Sequence, residues 1–170
     1  MIKIYCTLGN EINRFERILS ELLRLMEVIK GSRVSIQSGN SFDLFEGVFA
    51  NSPRLISHKA FFSGAEHSCL LSEASVILTH CGAGTLEQAL QCHNSLVVAL
   101  PRLERFGEHQ NDHQLELYNE FKLRRLILGV SDIGGEFCQV HQTKKPEYTA
   151  SDDLASLVVG SLMGKVSRFG

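Results

Sequence analysis

The chain is organised around the stretch Val76-Ile77-Leu78-Thr79-His80-Cys81-Gly82-Ala83-Gly84-Thr85-Leu86-Glu87. Its apolar run is rich in β-branched residues and stops at two glycines, a pattern typical of a buried strand that ends in a tight turn. Thr85 and Gln88 have capping-box spacing, which predicts that a helix begins at the turn. The N–H groups and positive dipole end of such a helix would attract an anion such as a diphosphate. A tight chain reversal that binds nothing gives the same sequence pattern.

Length and composition indicate one domain spanning residues 1–170. With 170 residues, 44% of them hydrophobic and 21% charged, the chain can bury an ordinary globular core. The formal net charge of −2 gives no general attraction to nucleic acid or anionic lipid. No apolar run reaches the ~20 residues of a membrane helix, and Met1–Tyr5 has a strand pattern, so we expect neither membrane insertion nor a signal peptide. The five cysteines form no C-x-x-C pair and are expected to be reduced thiols.

Strand and helix patterns alternate along the chain. Apolar runs predict strands at about 2–6, 34–37, 58–62, 76–79, 96–100 and 126–130. Helical spacing predicts helices at about 15–29, 63–74, 85–93, 112–121 and 152–163, with an irregular segment at 131–150 and the core within about 1–130. This alternation predicts an α/β Rossmann-like fold, an open parallel sheet with helices on both faces.

Finer expectations concern the helix ends and faces. Asn13 is expected to cap the first helix, and Ser63 with Glu66 matches a second capping box. Asn51-Ser52-Pro53 would interrupt a helix, so residues 40–57 are expected to form a connecting segment. The third predicted helix has a candidate sheet-facing side made of Ala65, Cys69, Leu70 and Ala74.

Turns that follow the predicted strands locate the candidate site. In open parallel sheets, ligands bind beyond the carboxyl ends of the strands. Gly9, Gly39, the 82–85 turn and the loop after Pro101 all follow strands. They are therefore expected to lie along one edge of the sheet.

Two side chains of the central stretch are candidates for chemistry. Glu87, near the start of its helix, is expected either to accept ribose hydroxyls or to complement the helix dipole. His80, at the strand end, is a candidate for catalysis, although a lone histidine also serves as a structural residue. Cys81 points to the opposite face from His80, so the two form a poor nucleophile and base pair.

Polar and charged residues crowd the loop at 102–114. This loop either borders the same crevice or is an ordinary solvated surface loop. His109 and His113 are spaced i, i+4, but no companion ligand lies at zinc-binding spacing, and the chain contains no Asp-x-Asp pair. We therefore expect a site without a metal.

Two separated motifs resemble those of a known family. They are the 80–87 segment quoted above and Gly107-Glu108-His109-Gln110-Asn111-Asp112-His113-Gln114-Leu115-Glu116-Leu117. Over roughly residues 2–121 the chain resembles the carboxyl-terminal, nucleotide-sugar-binding half of family 28 glycosyltransferases, one half of a GT-B fold. Its pattern is similar to that of small stand-alone subunits: the cytosolic partner in the two-part UDP-GlcNAc transferase of dolichol-linked glycan synthesis and, most closely, bacterial exopolysaccharide biosynthesis subunits. Thr7-Leu8-Gly9-Asn10 departs from the first turn usual in that family.

This resemblance implies a set of donor-binding residues. The 82–85 turn would bind the donor diphosphate, Glu87 the ribose, and the 107–114 loop the nucleotide or sugar. The residues expected at the nucleotide-sugar site are Gly9, Gly82, Ala83, Gly84, Thr85, Glu87, Arg102, Asn111, His113 and Gln114, with His80 as the catalytic candidate.

The resemblance also implies a reaction and a partner. The chain would be a metal-independent inverting hexosyltransferase subunit that uses a UDP-sugar, such as UDP-GlcNAc, and no cofactor. A membrane-anchored partner would bind the acceptor, a polyprenyl-diphosphate-linked saccharide, and supply most of the general base. The domain would be cytoplasmic and recruited to the cytosolic face of the membrane by that partner. Alternatives are a non-catalytic nucleotide-sugar-binding regulatory subunit and a UDP-sugar epimerase-like protein, although an epimerase would need a second domain in the same chain.

Overall fold

A computed structural model describes residues 1–132, which alternate between strand and helix. Six strands are present in this part: β1 (Lys3–Thr7), β2 (Arg33–Gln37), β3 (Leu55–Lys59), β4 (Val76–Thr79), β5 (Leu96–Ala99) and β6 (Leu128–Gly129). Five α-helices lie between them: α1 (Arg17–Val28), α2 (Phe42–Phe49), α3 (Gly64–Glu73), α4 (Ala83–Gln91) and α5 (His113–Leu123). The irregular segment expected from 133 onward and the helix expected at 152–163 lie outside the described residues.

All strand pairs described are parallel, and the strand order is β3-β2-β1-β4-β5-β6. The chain leaves β1 toward one edge of the sheet and later returns to place β4 on the other side of β1. In register, Tyr5 of β1 lies opposite Ile77 of β4, and Thr7 lies opposite Thr79. The carboxyl ends of β1 and β4 therefore form the topological switch point, where the connections diverge and leave a crevice.

Alternating strand residues divide the core into two layers. The layer beneath α1 and α2 includes Ile4, Cys6, Ile36, Val76, Leu78 and Val98. The layer beneath α3, α4 and α5 includes Tyr5, Ile77, Val97 and Ala99. Because successive strand side chains point to opposite faces, strands buried on both sides read as nearly continuous apolar runs. The predicted α/β Rossmann-like architecture is confirmed.

Residues 40–57 were expected to form a connecting segment, and this prediction is wrong. They contain α2, which buries Phe45 and Phe49, and the start of β3. Pro53 does not interrupt the helix because α2 has already ended at Phe49, with Ala50 as its C-cap. The proline therefore falls in the link to the next strand, where its fixed φ is tolerated.

Two details of the helices also differ from expectation. Helix α1 begins at Arg17 with Glu16 as N-cap and no side-chain capping bond, so Asn13 does not cap it. Of the expected sheet-facing side of α3, Ala74 is buried and Leu70 packs against the core, whereas Ala65 and Cys69 are exposed. The helix turns Leu71 into the core instead of Cys69. The capping box of Ser63 and Glu66 is confirmed, with both of its reciprocal bonds present.

Candidate functional site

The crevice at the switch point is formed where the turns after β1 and β4 meet around one imidazole ring. His80 follows β4 and is 6% exposed. A Cβ placed on Gly9 would lie 2.4 Å from His80 Cε1, and one placed on Gly82 would lie 2.3 Å from His80 Nε2. Both distances are below any real contact, so only glycine fits on either side of the ring. Gly9 also has φ of +69°, a conformation that side chains disfavour.

Helix α4 begins at this crevice, and no side chain caps its first turn. Gly82 is its N-cap, no side chain caps it, and the first intrahelical bond runs from Leu86 N to Gly82 O. The N–H groups of Ala83, Gly84 and Thr85 therefore have no acceptor within the helix. The prediction that a helix begins at the glycine turn is confirmed, whereas the Thr85–Gln88 capping box is wrong because Thr85 lies inside the helix.

Glu87 lies one turn further along α4 than the sequence interpretation placed it. The first turn of α4 contains no acidic residue, so Glu87 is not a capping charge there. Its side chain is half-buried. Among residues 1–132, no hydrogen bond or ion pair to its carboxylate is formed. A half-buried carboxylate without a partner in the second turn of α4 is available to accept hydroxyl groups from a ligand.

Burial makes His80 a neutral side chain. Removal from water, assisted by the nearby positive charge of Arg102, lowers the pKa of His80 to about 4. The imidazole is therefore uncharged at neutral pH, and its Nδ1 atom lies 3.4 Å from Thr79 Oγ1. The Cys81 thiol is also buried, which raises its pKa and makes it a poor nucleophile at neutral pH.

Gln114, the second residue of α5, connects the turns after β4 and β5. Its Oε1 atom accepts hydrogen bonds from the backbone N–H groups of Cys81 (3.2 Å) and Arg102 (3.1 Å). The side chain is 3% exposed, so its amide is held in one orientation. Within the described part of the chain its Nε2 group makes no hydrogen bond. Gln114 thus presents two fixed donors next to the α4 turn.

Asn111, His109 and His113 form the outer part of this loop. Asn111 Oδ1 accepts from the His113 backbone N–H (3.2 Å) and also contacts His113 Nδ1. The rings of His109 and His113 meet edge to face, and His109 Nε2 lies 3.4 Å from Glu11 Oε2 in the turn after β1. The loop after β5 and the turn after β1 therefore meet across the crevice. Among residues 1–132, no group of three or more His, Cys, Asp or Glu side chains is placed to hold a metal ion.

Arg102 lies beneath the crevice. It is 1% exposed, and its guanidinium donates to the backbone carbonyls of Leu8 (3.1 Å), Asn13 (2.8 Å) and Glu108 (3.2 Å). The ring of Phe15 packs against it, with the guanidinium carbon 4.5 Å from the centroid. Removal from water lowers the pKa of Arg102 to about 10, so it remains a cation at neutral pH. Its charge is placed close enough to the site to affect His80.

Arg17 is a residue of this region that the sequence interpretation missed. Its guanidinium grips both carboxylate oxygens of Glu108, at 2.8 and 2.5 Å, and also donates to Pro101 O at 2.8 Å. Glu108 is 4% exposed and points inward. No local signal reveals this pair, because its two residues are 91 positions apart in the sequence.

These features together define a Rossmann-like α/β domain with a crevice at its topological switch point. The strand order places the crevice at the carboxyl ends of β1 and β4, and a helix with free N–H groups opens into it. A half-buried carboxylate, a fixed amide and a neutral histidine complete the wall. Such a wall suits a ligand that combines an anionic group with several hydroxyls.

The chain belongs to the glycosyltransferase family 28 C-terminal domain, whose family model matches residues 13–128. A solved structure of the glycotransferase of kitacinnamycin is similar, with a TM-score of 0.55, 14% identity, and coverage of 99% of this chain and 40% of that one. MurG of Acinetobacter baumannii is also similar, with a TM-score of 0.52, 16% identity, and coverage of 82% of this chain and 41% of MurG. The match therefore spans about two fifths of each solved protein, and the fold corresponds to one half of a GT-B glycosyltransferase.

Comparison with curated protein sequences finds no significant match. Among the helices of residues 1–132, none combines the length and the hydropathy needed to cross a membrane.

Proposed function

We propose that this domain binds the UDP-sugar donor of a glycosyltransferase. The observation that carries the proposal is the uncapped start of α4, whose three free N–H groups face the switch-point crevice in a family 28 C-terminal domain. Phosphate oxygens are strong acceptors, and a helix start offers them both hydrogen bonds and the positive end of a dipole.

Each part of the donor has a candidate set of contacts. The diphosphate lies on the 82–85 turn, where Gly82 and Gly84 let it approach the backbone while Ala83 and Thr85 add N–H groups. The unpaired carboxylate of Glu87 accepts the ribose hydroxyls. Gly9 forms part of the opposite wall, where it packs against the His80 ring. The sugar lies toward the loop after β5, where it meets the residues Asn111, His113 and Gln114.

Transfer is proposed to proceed with inversion and without a metal ion or cofactor. An acceptor hydroxyl attacks the anomeric carbon, its proton passes to a general base, and the bond from that carbon to the diphosphate oxygen breaks. Negative charge then grows on the departing UDP. The free N–H groups of α4, with the cation of Arg102 behind them, stabilise that charge in place of a divalent ion.

A membrane-anchored partner is proposed to supply the acceptor wall. GT-B enzymes bind substrates between two domains, and this chain aligns with about two fifths of the solved proteins it resembles. The partner would hold a polyprenyl-diphosphate-linked saccharide at the cytosolic face and recruit this domain there. It would also provide most of the general base. His80 is the local candidate, but burial lowers its pKa to about 4 and makes it a weak base at neutral pH, so the partner's base would take most of the proton.

Calorimetric titration of the chain tests donor binding. UDP, UDP-GlcNAc, UDP-glucose, UDP-galactose and UDP-glucuronate are titrated with and without EDTA, and one UDP-sugar is expected to bind equally well in both conditions. Glu87→Ala should weaken that binding about tenfold or more, because a hydrogen bond to a charged group contributes roughly 1.5–3 kcal/mol. Glu27→Ala is the matched control, since this exposed carboxylate lies near the end of α1 at the opposite edge of the sheet.

Two outcomes would contradict the proposal. If no UDP compound binds either the chain or its complex with the partner, donor binding is wrong. If Glu87→Ala abolishes donor binding while the complex keeps full transferase activity, the domain is a non-catalytic regulatory subunit instead.

A further inference from the structure

Two guanidinium groups, one partly buried and one fully buried, hold the loop after β5 against the rest of the domain. The first belongs to Arg17, at the start of α1. This guanidinium forms a bidentate ion pair with the Glu108 carboxylate and donates a further hydrogen bond to Pro101 O. The Phe106 ring packs on it, with the ring centroid 4.4 Å from the guanidinium carbon. Glu108 Oε2 also accepts from the backbone N–H of Leu103 at 3.1 Å. The 101–108 segment is thus folded around a side chain that comes from α1.

The second guanidinium, that of Arg102, ties the same loop to the turn after β1. It bonds to Leu8 O and Asn13 O on one side and to Glu108 O on the other. Both arginines therefore act on the Glu108 region, one through its carboxylate and the other through its carbonyl. The planar guanidinium of Arg17 donates two parallel hydrogen bonds to the Glu108 carboxylate. This pairing fixes both the orientation of the loop and its distance from α1.

Glu108 lies only a few residues before the proposed sugar-binding side chains. Asn111, His113 and Gln114 follow it at the tip of the loop and the start of α5. Among residues 1–132, Arg17 makes no hydrogen bond or ion pair with the 82–85 turn. Arg17 therefore contacts the segment that leads to one side of the proposed donor site and does not contact the helix start that would hold the diphosphate.

We propose that Arg17 is a positioning residue for the sugar half of the donor. Acting through Glu108, it holds the 107–114 loop at the distance from the 82–85 turn that a nucleotide sugar requires. The inference rests on the proposed function, because it assigns the sugar to the loop and the diphosphate to the helix. Arg17 itself touches neither.

The test compares affinity for UDP with affinity for the UDP-sugar that binds the wild-type chain most tightly. Arg17→Gln removes both the charge and the two-atom pairing with Glu108. It should weaken UDP-sugar binding about tenfold, because the sugar contacts of the 107–114 loop are misplaced. UDP binding should weaken less than about threefold, because the diphosphate contacts of the 82–85 turn are kept. Arg17→Lys keeps the charge without the two-atom pairing and should give an intermediate loss. Arg14→Gln is the matched control, because Arg14 forms an exposed pair with Asp43 just before the same helix and should leave both affinities unchanged.

Amide hydrogen exchange provides a readout that needs no ligand. Arg17→Gln should speed exchange in 107–114 and leave the 83–91 amides of α4 as they are in the wild type. Equal losses of UDP and UDP-sugar affinity in a folded Arg17→Gln variant would overturn the inference, and so would unchanged exchange in the loop. If the wild-type chain binds no UDP compound, the proposed function is wrong. That result is distinguishable from a failure of the Arg17 inference, which requires a wild-type chain that binds.

Discussion

Helices α3 and α4 begin at the same edge of the sheet, but their first turns are completed in opposite ways. In α3, Ser63 Oγ accepts from Glu66 N at 3.3 Å, and Glu66 Oε2 accepts from Ser63 N at 2.9 Å. In α4 the N-cap is Gly82 and no side chain takes that role. The same chain therefore provides α3 with a complete capping box and leaves α4 without a side-chain cap. The uncapped start is thus particular to the helix that begins at the crevice.

The physical cause of this difference is the ring of His80. Every side chain that caps a helix well begins with a Cβ, and a Cβ at Gly82 would lie 2.3 Å from His80 Nε2. The buried histidine therefore excludes a capping side chain from α4. The difference between the two helix starts can be tested at His80, at Gly82 and at Ser63.

The largest expected effect is a loss of stability in acid that arises from His80. Its pKa is about 4 in the folded chain and ordinarily about 6.5, so protons bind the unfolded chain first as the pH falls. The free energy of unfolding should therefore decrease between pH 6.5 and 4 by about 3 kcal/mol from this one group. Urea unfolding at several pH values measures the slope.

His80→Gln provides the comparison for the pH experiment. This variant should show a flatter dependence over the same interval. Burial lowers the pKa of His58 as well, so part of the slope will remain in the variant. An identical slope in wild type and His80→Gln would contradict the buried neutral state of His80.

A medium effect is expected when a cap is forced onto α4. Serine usually stabilises a helix at the N-cap, but Gly82→Ser should destabilise the domain by about 2 kcal/mol, because its Cβ overpacks the site against the imidazole. Gly84→Ala should not, since nothing lies within 4 Å of a Cβ there. The double variant Gly82→Ser/His80→Ala should lose less stability than the sum of its two single variants. A stabilised Gly82→Ser chain in thermal unfolding would contradict the packing around His80.

The smallest effect is expected at α3. Ser63→Ala removes one half of the capping box and should cost about 1 kcal/mol in the free energy of unfolding by urea. Nucleotide-sugar affinity should stay unchanged, because none of the proposed donor contacts lies on α3. A loss of affinity comparable to that of Glu87→Ala would show that the two helix starts are not functionally distinct.

Much of the architecture follows from local sequence patterns. The apolar runs of the strands and the glycines after them are short-range signals, and they were sufficient to predict an open parallel sheet with helices on both faces. The Ser63 capping box is equally local. Helix α2 is not evident from the sequence because Pro53 follows it closely, although the proline lies beyond the end of this eight-residue helix.

The contacts that shape the site depend on distant parts of the chain. Thr85 and Gln88 match a capping pattern, yet Gly82 takes the N-cap position because the strand before it ends at Thr79 and the turn is short. Glu108 was visible as part of a motif, but its partner Arg17 lies in another helix. The burial that lowers the pKa of His80 is likewise produced by two turns that meet only in the folded sheet.

The pair formed by Arg17 and Glu108 sets a condition for engineering this domain. Grafting the 107–114 loop of a relative that has no carboxylate at position 108 would leave the Arg17 guanidinium without its ion-pair partner and the Leu103 N–H without its acceptor. Removing one partner of a largely buried ion pair is destabilising, so we expect such a chimera to lose stability. The unit to exchange is therefore the loop together with the first turn of α1.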